Sequence, residues 1–595
     1  MDNNLKNNII AVFVSAILLL GWYFIDQKYF QPNIDNNTVK SYIDNKNNQR
    51  GYISNSPIKN GKNLNSFIEE KSSNKKVKII SPNLKGSISL KDLRFNDLVL
   101  NKYKEIPDSD TSPNVQLFSP SSQENGYYLT FGYLGEGAPD ANSIWKSEKD
   151  EIKPGEEVSF LWSNKSGVKF VVTLSMDEKY MFYIKQSVIN NSDKVKTLKF
   201  YGLINRDYNI EKEEKKLGNS SMTHTGFVGV FDKNLSEDTY KNIKKEKRKR
   251  FLGEKQIDWL GISDKYWLSA IIPANSANSS IDGNRTSLLK QDNIALENDN
   301  SNVIYNASYS YGVNNNRDKF QLDFISNKYS IAVGETIDLK HKFFAGPKEV
   351  KLLDFYEENE NIKLFDRAID FGWFYILTKP IFQTMSFLYK YVGNFGLVIM
   401  IFTVIVKLLM FSITNKSYKS MKKMKQIAPE LEEIKARYKD DKMSLNKAVM
   451  DLYKREKVNP LSGCLPILIQ IPVFFSIYKV LNVTIEMRGA DFYGWIHDLS
   501  VSDPTNIFTL FGLLNFSIFP FFSIGAWPII MAVTMFLQQK LQPAPADPNQ
   551  AMVMQTMPLI FLFIFSSFPA GLLIYWSWNN VLSILQQLYV NKSSQ

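Results

Sequence analysis

The sequence predicts a two-part protein: an α-helical polytopic membrane core of six spans, and a large antiparallel β-domain of two packed sheets. Three observations predict it. Apolar residues are concentrated at 8–25 and after residue 395, although the mean hydropathy of -0.22 is that of a soluble chain. Residues 76–344 alternate in short apolar stretches separated by Gly, Asn, Asp and Pro. Between the second and third apolar runs, residues 415–460 carry thirteen lysines and arginines, a cytoplasmic signature.

Taken in order, residues 8–25 (NIIAVFVSAILLLGWYFI) are long enough to span a bilayer. No small-residue cleavage site follows, so an uncleaved signal anchor over residues 1–30 is favoured above a cleaved signal peptide. Residues 31–75 are rich in Asn, Lys and Ser and bury too little apolar surface to offset their ordering entropy, so they read as a linker. The β-domain is expected over 76–364, with strands near 87–90, 168–174, 180–186, 267–272 and 305–311. Its basic run 241–250 (KNIKKEKRKR) could signal nucleic acid. A solvated connection between strands is preferred, because the run follows the first span and lies outside the cytoplasm.

Residues 365–392 predict an amphipathic helix at the membrane interface. Spans are then expected near 393–414, 461–485, 524–541, 552–568 and 570–590. Residues 507–522 are broken by Gly512, Asn515 and Pro520 and read as re-entrant or interfacial. Counting from the basic loop puts the β-domain outside and both termini inside.

The composition excludes several functions. One cysteine, Cys464, permits no internal disulfide, and His224, His341 and His497 lack metal-ligand spacing. No phosphate loop, nucleophilic triad or placed acidic pair is visible, and Glu156 with Glu157 reads as a solvated turn. No catalytic residue, cofactor or metal is therefore expected. The net charge of +11 is explained by membrane orientation rather than DNA binding.

The residues that could carry function lie in the spans. Lys407 interrupts the apolar run FGLVIMIFTVIVKLLMFSI, at a cost of a few kcal/mol by any scale, so it is snorkelling, paired or functional. Gly396, Met400 and Thr403 share its helix face. Gln470 falls at a depth close to that of Thr403 on the next, antiparallel span, and Ser577, Asn579 and Asn580 add polar groups to the last. Helix packing would use such residues too, but together they favour a water-accessible pocket. In the loop, Met421, Met424, Ile427, Leu431, Ile434 and Tyr438 recur at helical spacing, as do Leu445, Val449 and Leu452, which predicts a basic helical hairpin with an adaptable methionine-bearing surface.

On the stretches VNPLSGCLPILIQIP (458–472), WIHDLS (495–500), PAGLL (569–573), FGWFYILTKP (371–380) and FAGP (344–347), and more loosely WLGISDKYWLSAIIP (259–273), the chain resembles the YidC membrane-protein insertase family in its Gram-negative form. The resemblance implies a five-helix insertase core in the inner membrane, with a hydrophilic groove open to cytoplasm and lipid, and a periplasmic β super-sandwich. It implies that Lys407, Thr403, Gln470, Phe474, Tyr575 and Trp576 line the groove or its substrate slide. Lys407 stands where arginine is usual, which keeps the charge and loses the planar fork. The implied partners are nascent membrane proteins, the lipid bilayer, the Sec translocon and the ribosome. Ribosome contact is expected at the hairpin, because residues 590–595 carry only Lys592. The competing expectations are a membrane-anchored carbohydrate-binding or carbohydrate-active protein, and a transporter, which would often show internal repeats.

Overall fold

The computed structural model describes residues 75–593, leaving out 218–222, 253–255, 275–276, 282–302, 439–440, 459–464, 513–522, 543–547 and positions 108, 315 and 373. The expected anchor and linker, and residues 513–522 of the expected re-entrant segment, lie outside the described residues.

All five stretches singled out by alternation fall on strands, because a side-chain period of two buries one face of each. Strand Val168–Met176 shows this most plainly, with residues 168, 170, 172, 174 and 176 buried. An eleven-stranded sheet has Lys196–Asp207 and Tyr127–Gly135 at its centre, and a ten-stranded sheet is built around Glu335–Pro347 and Met181–Asn190. The two pack face to face through aromatic residues: Phe95 and Phe118 of one meet Phe182 and Phe343 of the other at 5.6 to 6.1 Å between ring centres. Burial of this kind is the main stabilising term of the domain.

The basic run is largely exposed and joins strands, as expected of a solvated connection, but it carries regular structure of its own. It forms helix α2 (Tyr240–Glu246), which follows α1 (Ile210–Leu217), and then the edge strand Arg248–Phe251 beside Tyr305–Asn314. Tyr240 and Ile243 are buried, and Lys244 and Lys249 pair with Asp318 and Asp238. Ile243 is the one buried residue within the run and Tyr240 the buried residue just before it, and the charged side chains of the edge strand also discourage pairing with another chain.

Helix α3 (Val350–Asn359) ties the sandwich to the segment leading into the helical region. The Tyr356 hydroxyl donates to Asp177 Oδ2 at 2.6 Å and accepts from the Tyr180 amide, while Trp259 Nε1 donates to the Lys363 carbonyl at 3.0 Å. The interfacial helix starts later than expected. After a 3-10 turn at Phe365–Ala368, the left-handed Gly372 (φ 68°) turns the chain into α4 (Tyr375–Val392). Lys379 Nζ, on α4, donates to both Asp354 and Asp366 and anchors that start.

The helical region continues with α5 (Phe395–Leu409), α6 (Phe411–Arg437), α7 (Lys442–Arg455), α8 (Leu465–Val483), α9 (Ala526–Leu541), α10 (Pro548–Phe565) and α11 (Ala570–Ser593). Among the described residues no single helix is long and apolar enough to cross a membrane alone. The pair α5 and α6 passes that test together and is bent by 68°. The expected continuous run 393–414 is therefore broken at Met410. At the break the Thr414 hydroxyl hydrogen-bonds the carbonyls of Met410 and Phe411, a back-bonding known to bend helices. Helices α6 and α7 form the expected hairpin. Asp441 caps α7 through the amides of Met443 and Ser444, and Arg455 pairs with Glu430 across the two helices.

Sandwich and helices meet at a polar seam. Glu486 Oε1, in the turn Ile485–Met487, accepts from the Val350 amide at 3.0 Å. Arg488 donates to the carbonyls of Lys104 and Glu105, and Lys479 Nζ pairs with Asp370 at 2.9 Å. The other Glu486 oxygen is buried without a partner, and burial pushes this carboxyl up to about 7.

Candidate functional site: a polar strip inside apolar helices

Helix α11 is in contact with α5, α6, α8 and α9. Its residues Tyr575, Asn579, Ser583 and Gln586 recur at intervals of three and four, so one polar strip runs along its length. Lys407 sits in the last turn of α5, where a cation complements the helix dipole. Its Nζ donates to Ser583 Oγ at 2.7 Å, and Ser583 in turn donates to the Asn579 carbonyl at 2.7 Å. The lysine is thus turned inward onto α11, while its sequence neighbours Leu408 and Leu409 are exposed, Leu409 by 79%.

The other expected residues separate into groups. The Gln470 amide donates to the Tyr575 hydroxyl, joining α8 to α11. Phe474 and Trp576 meet edge to face at 4.7 Å, within an aromatic cluster that includes Phe565 and Phe561 of α10. Thr403 is 1% exposed and its hydroxyl donates to the Ile399 carbonyl at 2.6 Å, satisfied within its own helix. Tyr575 is equally buried, whereas Lys407, Gln470, Phe474 and Trp576 are half-buried.

Much of the polar strip is used between helices. Asn580 Nδ2 donates to Thr534 Oγ1 of α9 at 3.2 Å, Gln586 to Thr414 of α6 at 2.8 Å, and Gln587 to the Leu541 carbonyl at 2.9 Å. Yet the Ser577 hydroxyl, the Trp578 indole nitrogen, Asn579 Oδ1 and Gln587 Oε1 are buried with no protein partner. Several such atoms on one helix exceed what a helix-packing role needs, and each costs about 1–3 kcal/mol if left dry.

Sequence reasoning missed Ser583, the direct partner of Lys407, and the seam residues Glu486 and Asp370. The three-and-four spacing through Asn579, Ser583 and Gln586 was a usable signal for Ser583. No local signal existed for the seam.

The family described as YidC periplasmic domain matches residues 76–384, and that described as 60Kd inner membrane protein matches residues 387–595. The chain is 50% identical over 597 aligned positions, covering all of both chains, to a protein of Rickettsia conorii named membrane protein insertase YidC. It is 49% identical, again over all of both, to the protein of that name in Rickettsia bellii. A crystal structure described as an active YidC insertase is 17% identical, with TM-score 0.34, covering 86% of this chain and 92% of that one. A galactose mutarotase related enzyme of Lactobacillus acidophilus is 9% identical, with TM-score 0.29, covering 46% of this chain and 97% of that one.

Fold and relatives define an inner-membrane insertase in which a β-sandwich periplasmic domain is joined to a C-terminal helical region. The chain belongs to the YidC family.

Proposed function

We propose that the helical region is a five-helix insertase core that carries nascent membrane proteins from the cytoplasm into the bilayer through a hydrophilic groove. Its spans are α5 with the first turn of α6, then α8, α9, α10 and α11, with the anchor at residues 1–30 as a sixth. The domain boundaries are those of the sequence, with linker 31–75, periplasmic domain 76–364, an interfacial segment 365–392 whose helix begins at Tyr375, and core 393–590. Both termini and the hairpin 415–460 face the cytoplasm. The exposed Ile376, Phe387 and Tyr391 of α4 suit a helix lying on the membrane.

The observation that carries the reading is the ammonium of Lys407 held on Ser583 among buried, unpartnered polar atoms of α11, within helices whose outer faces are apolar. Lysine within reach of α11 offers a positive counterpart to acidic or polar flanks of an incoming chain, and lowers their desolvation cost. Gln470 and Tyr575 add hydrogen-bonding groups on the facing helices. Phe474 and Trp576 offer an aromatic surface along which the apolar part slides into lipid. Thr403 lines the groove only where α5 and its neighbours part, because its hydroxyl is otherwise satisfied. Partitioning of about 20 apolar residues supplies the driving force, so neither nucleotide nor cofactor is required.

Clients first meet the hairpin, whose exposed Met443 and Met450 provide an adaptable surface. The ribosome docks at the same hairpin, and the Sec translocon is the partner for clients that need one. The deciding experiment places photocrosslinkers at Gln470, Phe474 and Trp576 during synthesis of a short membrane protein. Nascent-chain adducts at these positions, and none at the outward Leu409, are expected; absence at all three sinks the groove.

A further inference from the structure

The loop 488–505, which follows the seam turn at the end of α8, meets the first turns of α5, α9 and α11. At α11 the amides of Ala570 and Gly571 donate to the carbonyls of Val501 and Leu499, at 2.7 and 3.1 Å. At α9 the amides of Ala526 and Trp527 donate to Thr505 Oγ1 and Asp503 Oδ2, at 2.9 and 2.8 Å. The first amides of a helix have no partner within it, so a loop that supplies their acceptors is fastened to it. Asp503 is the clasp: it is buried, and its Oδ1 also accepts from Trp495 Nε1 and from the Thr505 amide and hydroxyl. A Cβ at Gly525 would fall 2.6 Å from the Asp503 carboxyl carbon, so glycine is what lets the carboxylate reach α9.

The same loop sets one aromatic ring on α5. The Phe492 amide donates to the Ile496 carbonyl at 2.9 Å, which folds the chain tightly there, and Ile496 and Leu499 are fully buried. The Phe492 ring lies so close to Gly396 that any Cβ at that position would overlap it, and it meets Trp527 of α9 at 6.0 Å between ring centres. Gly396 begins the face of α5 that continues through Met400 and Thr403 to Lys407. The eleven residues from Gly396 to Lys407 cover about 16 Å of helix. The ring therefore stands on the lysine-bearing face of α5, at the end away from the lysine. It is half-buried, so it is packed on the helices and still borders the outside.

We propose that Phe492 is the stopper of the groove: its ring, seated on Gly396 and fastened through the Asp503 clasp, keeps water and ions on the Lys407 face from passing out over the first turn of α5. The inference rests on the reading that this face lines a groove hydrated from the cytoplasm, and that the loop lies on the periplasmic side. A hydrated groove without a barrier would dissipate the ion gradients across the membrane. An apolar ring closes such a path because it offers a chain of waters no hydrogen-bonding partner. A polar flank that crosses the membrane must lift the ring from Gly396.

The test reads solvent access at Met400, one turn beyond Gly396 on the same face, in the full chain carrying Cys464→Ser and Met400→Cys. A membrane-impermeant maleimide is added to right-side-out vesicles for the periplasmic side and to inverted vesicles for the cytoplasmic side. Periplasmic labelling of the introduced thiol is expected to be slow, and Phe492→Ala to speed it about tenfold or more. Gly396→Ala, which displaces the ring, is expected to do the same. Phe492→Leu, which keeps an apolar side chain, restores most of the protection, and Val501→Ala, an exposed side chain of the same loop, leaves it unchanged. Rapid periplasmic labelling with Phe492 in place, or labelling that Phe492→Ala does not speed, overturns the proposal. An equal rise in Val501→Ala overturns it too, since any disturbance of the loop would then suffice. Absence of cytoplasmic labelling sinks the groove reading and the proposal with it, whereas the other failures leave the groove standing.

Discussion

In the sandwich domain Trp259, Tyr309 and Phe182 are fully buried, and many of the charges that enter it are paired, Arg206 with Asp264 and both Arg317 and Lys319 with Asp207. In the helical region Leu408, Leu409, Phe536 and Leu588 are turned outward, while Ser577, Asn579 and Gln587 bury polar atoms that no protein group satisfies. The first arrangement is that of a domain stable in water, with apolar residues inside and charges paired or solvated. The second differs in its outer face, which is apolar, and in gathering its buried polar groups along α11. The difference locates the chemistry. The sandwich also buries unpartnered polar atoms, such as the Tyr309 hydroxyl and Gln186 Oε1, but scattered over its two sheets, whereas Ser577, Trp578, Asn579 and Gln587 lie on one helix of a region that is apolar outside.

The most direct way to break this comparison is to remove one side of it. Deletion of residues 76–344 is expected to leave insertion of a small client within a few-fold of the intact chain, while loss of α8 to α11 abolishes it, as read by protease protection in proteoliposomes. Loss of insertion on the first deletion would move the function into the sandwich.

Trp259→Ala should cost the sandwich about 3–5 kcal/mol, because it empties a site between the sheet and Phe365 and orphans the Lys363 carbonyl. Near-ultraviolet circular dichroism on heating reads that loss, and insertion is expected to fall far less than stability.

Lys407→Glu is expected to lower insertion of clients with acidic flanks by about tenfold or more, since like charges in a poorly solvated site cost several kcal/mol. Lys407→Arg should preserve it. Equal activity of all three forms, measured on one acidic-flank client, would reduce Lys407 to a packing partner of Ser583.

The smallest expected effect concerns the seam between the two regions. Burial holds the Glu486 carboxyl at about 7, above the ordinary 4.5, so the docked state binds the proton more tightly than the released one. Docking is therefore strongest below about 4.5 and weakens as the pH rises towards 7. Hydrogen exchange of the α3 amides, corrected for intrinsic rates, should lose protection over that window, and Glu486→Gln should abolish the dependence. Protection that increases with pH would reverse the assignment.

Much of the architecture was legible in the chain itself. Alternation located strands such as Val168–Met176, because a period of two survives in any sheet with one buried face. Helical spacing located the α6–α7 hairpin, and the apolar runs located α5, α8, α10 and α11. The run 241–250 is largely exposed and does connect strands, but charge density hid the short helix and edge strand within it, which the burial of Tyr240 and Ile243 organises. Gln470 bonds the Tyr575 hydroxyl and not Thr403, the residue whose depth it matched in the sequence. The hydroxyl of Thr403 did not join them, since a threonine can satisfy itself on its own helix whatever face it occupies.

By itself the sequence determined the two-part architecture, the apolar runs and the cation lodged among them, because composition and periodicity are local properties. Only the tertiary structure decided what that cation touches. Ser583 lies 176 residues from Lys407, and which of α11's polar groups meets α5 depends on the rotation of one helix against another. That rotation is set by the packing of all the neighbouring helices together, so no single segment encodes it.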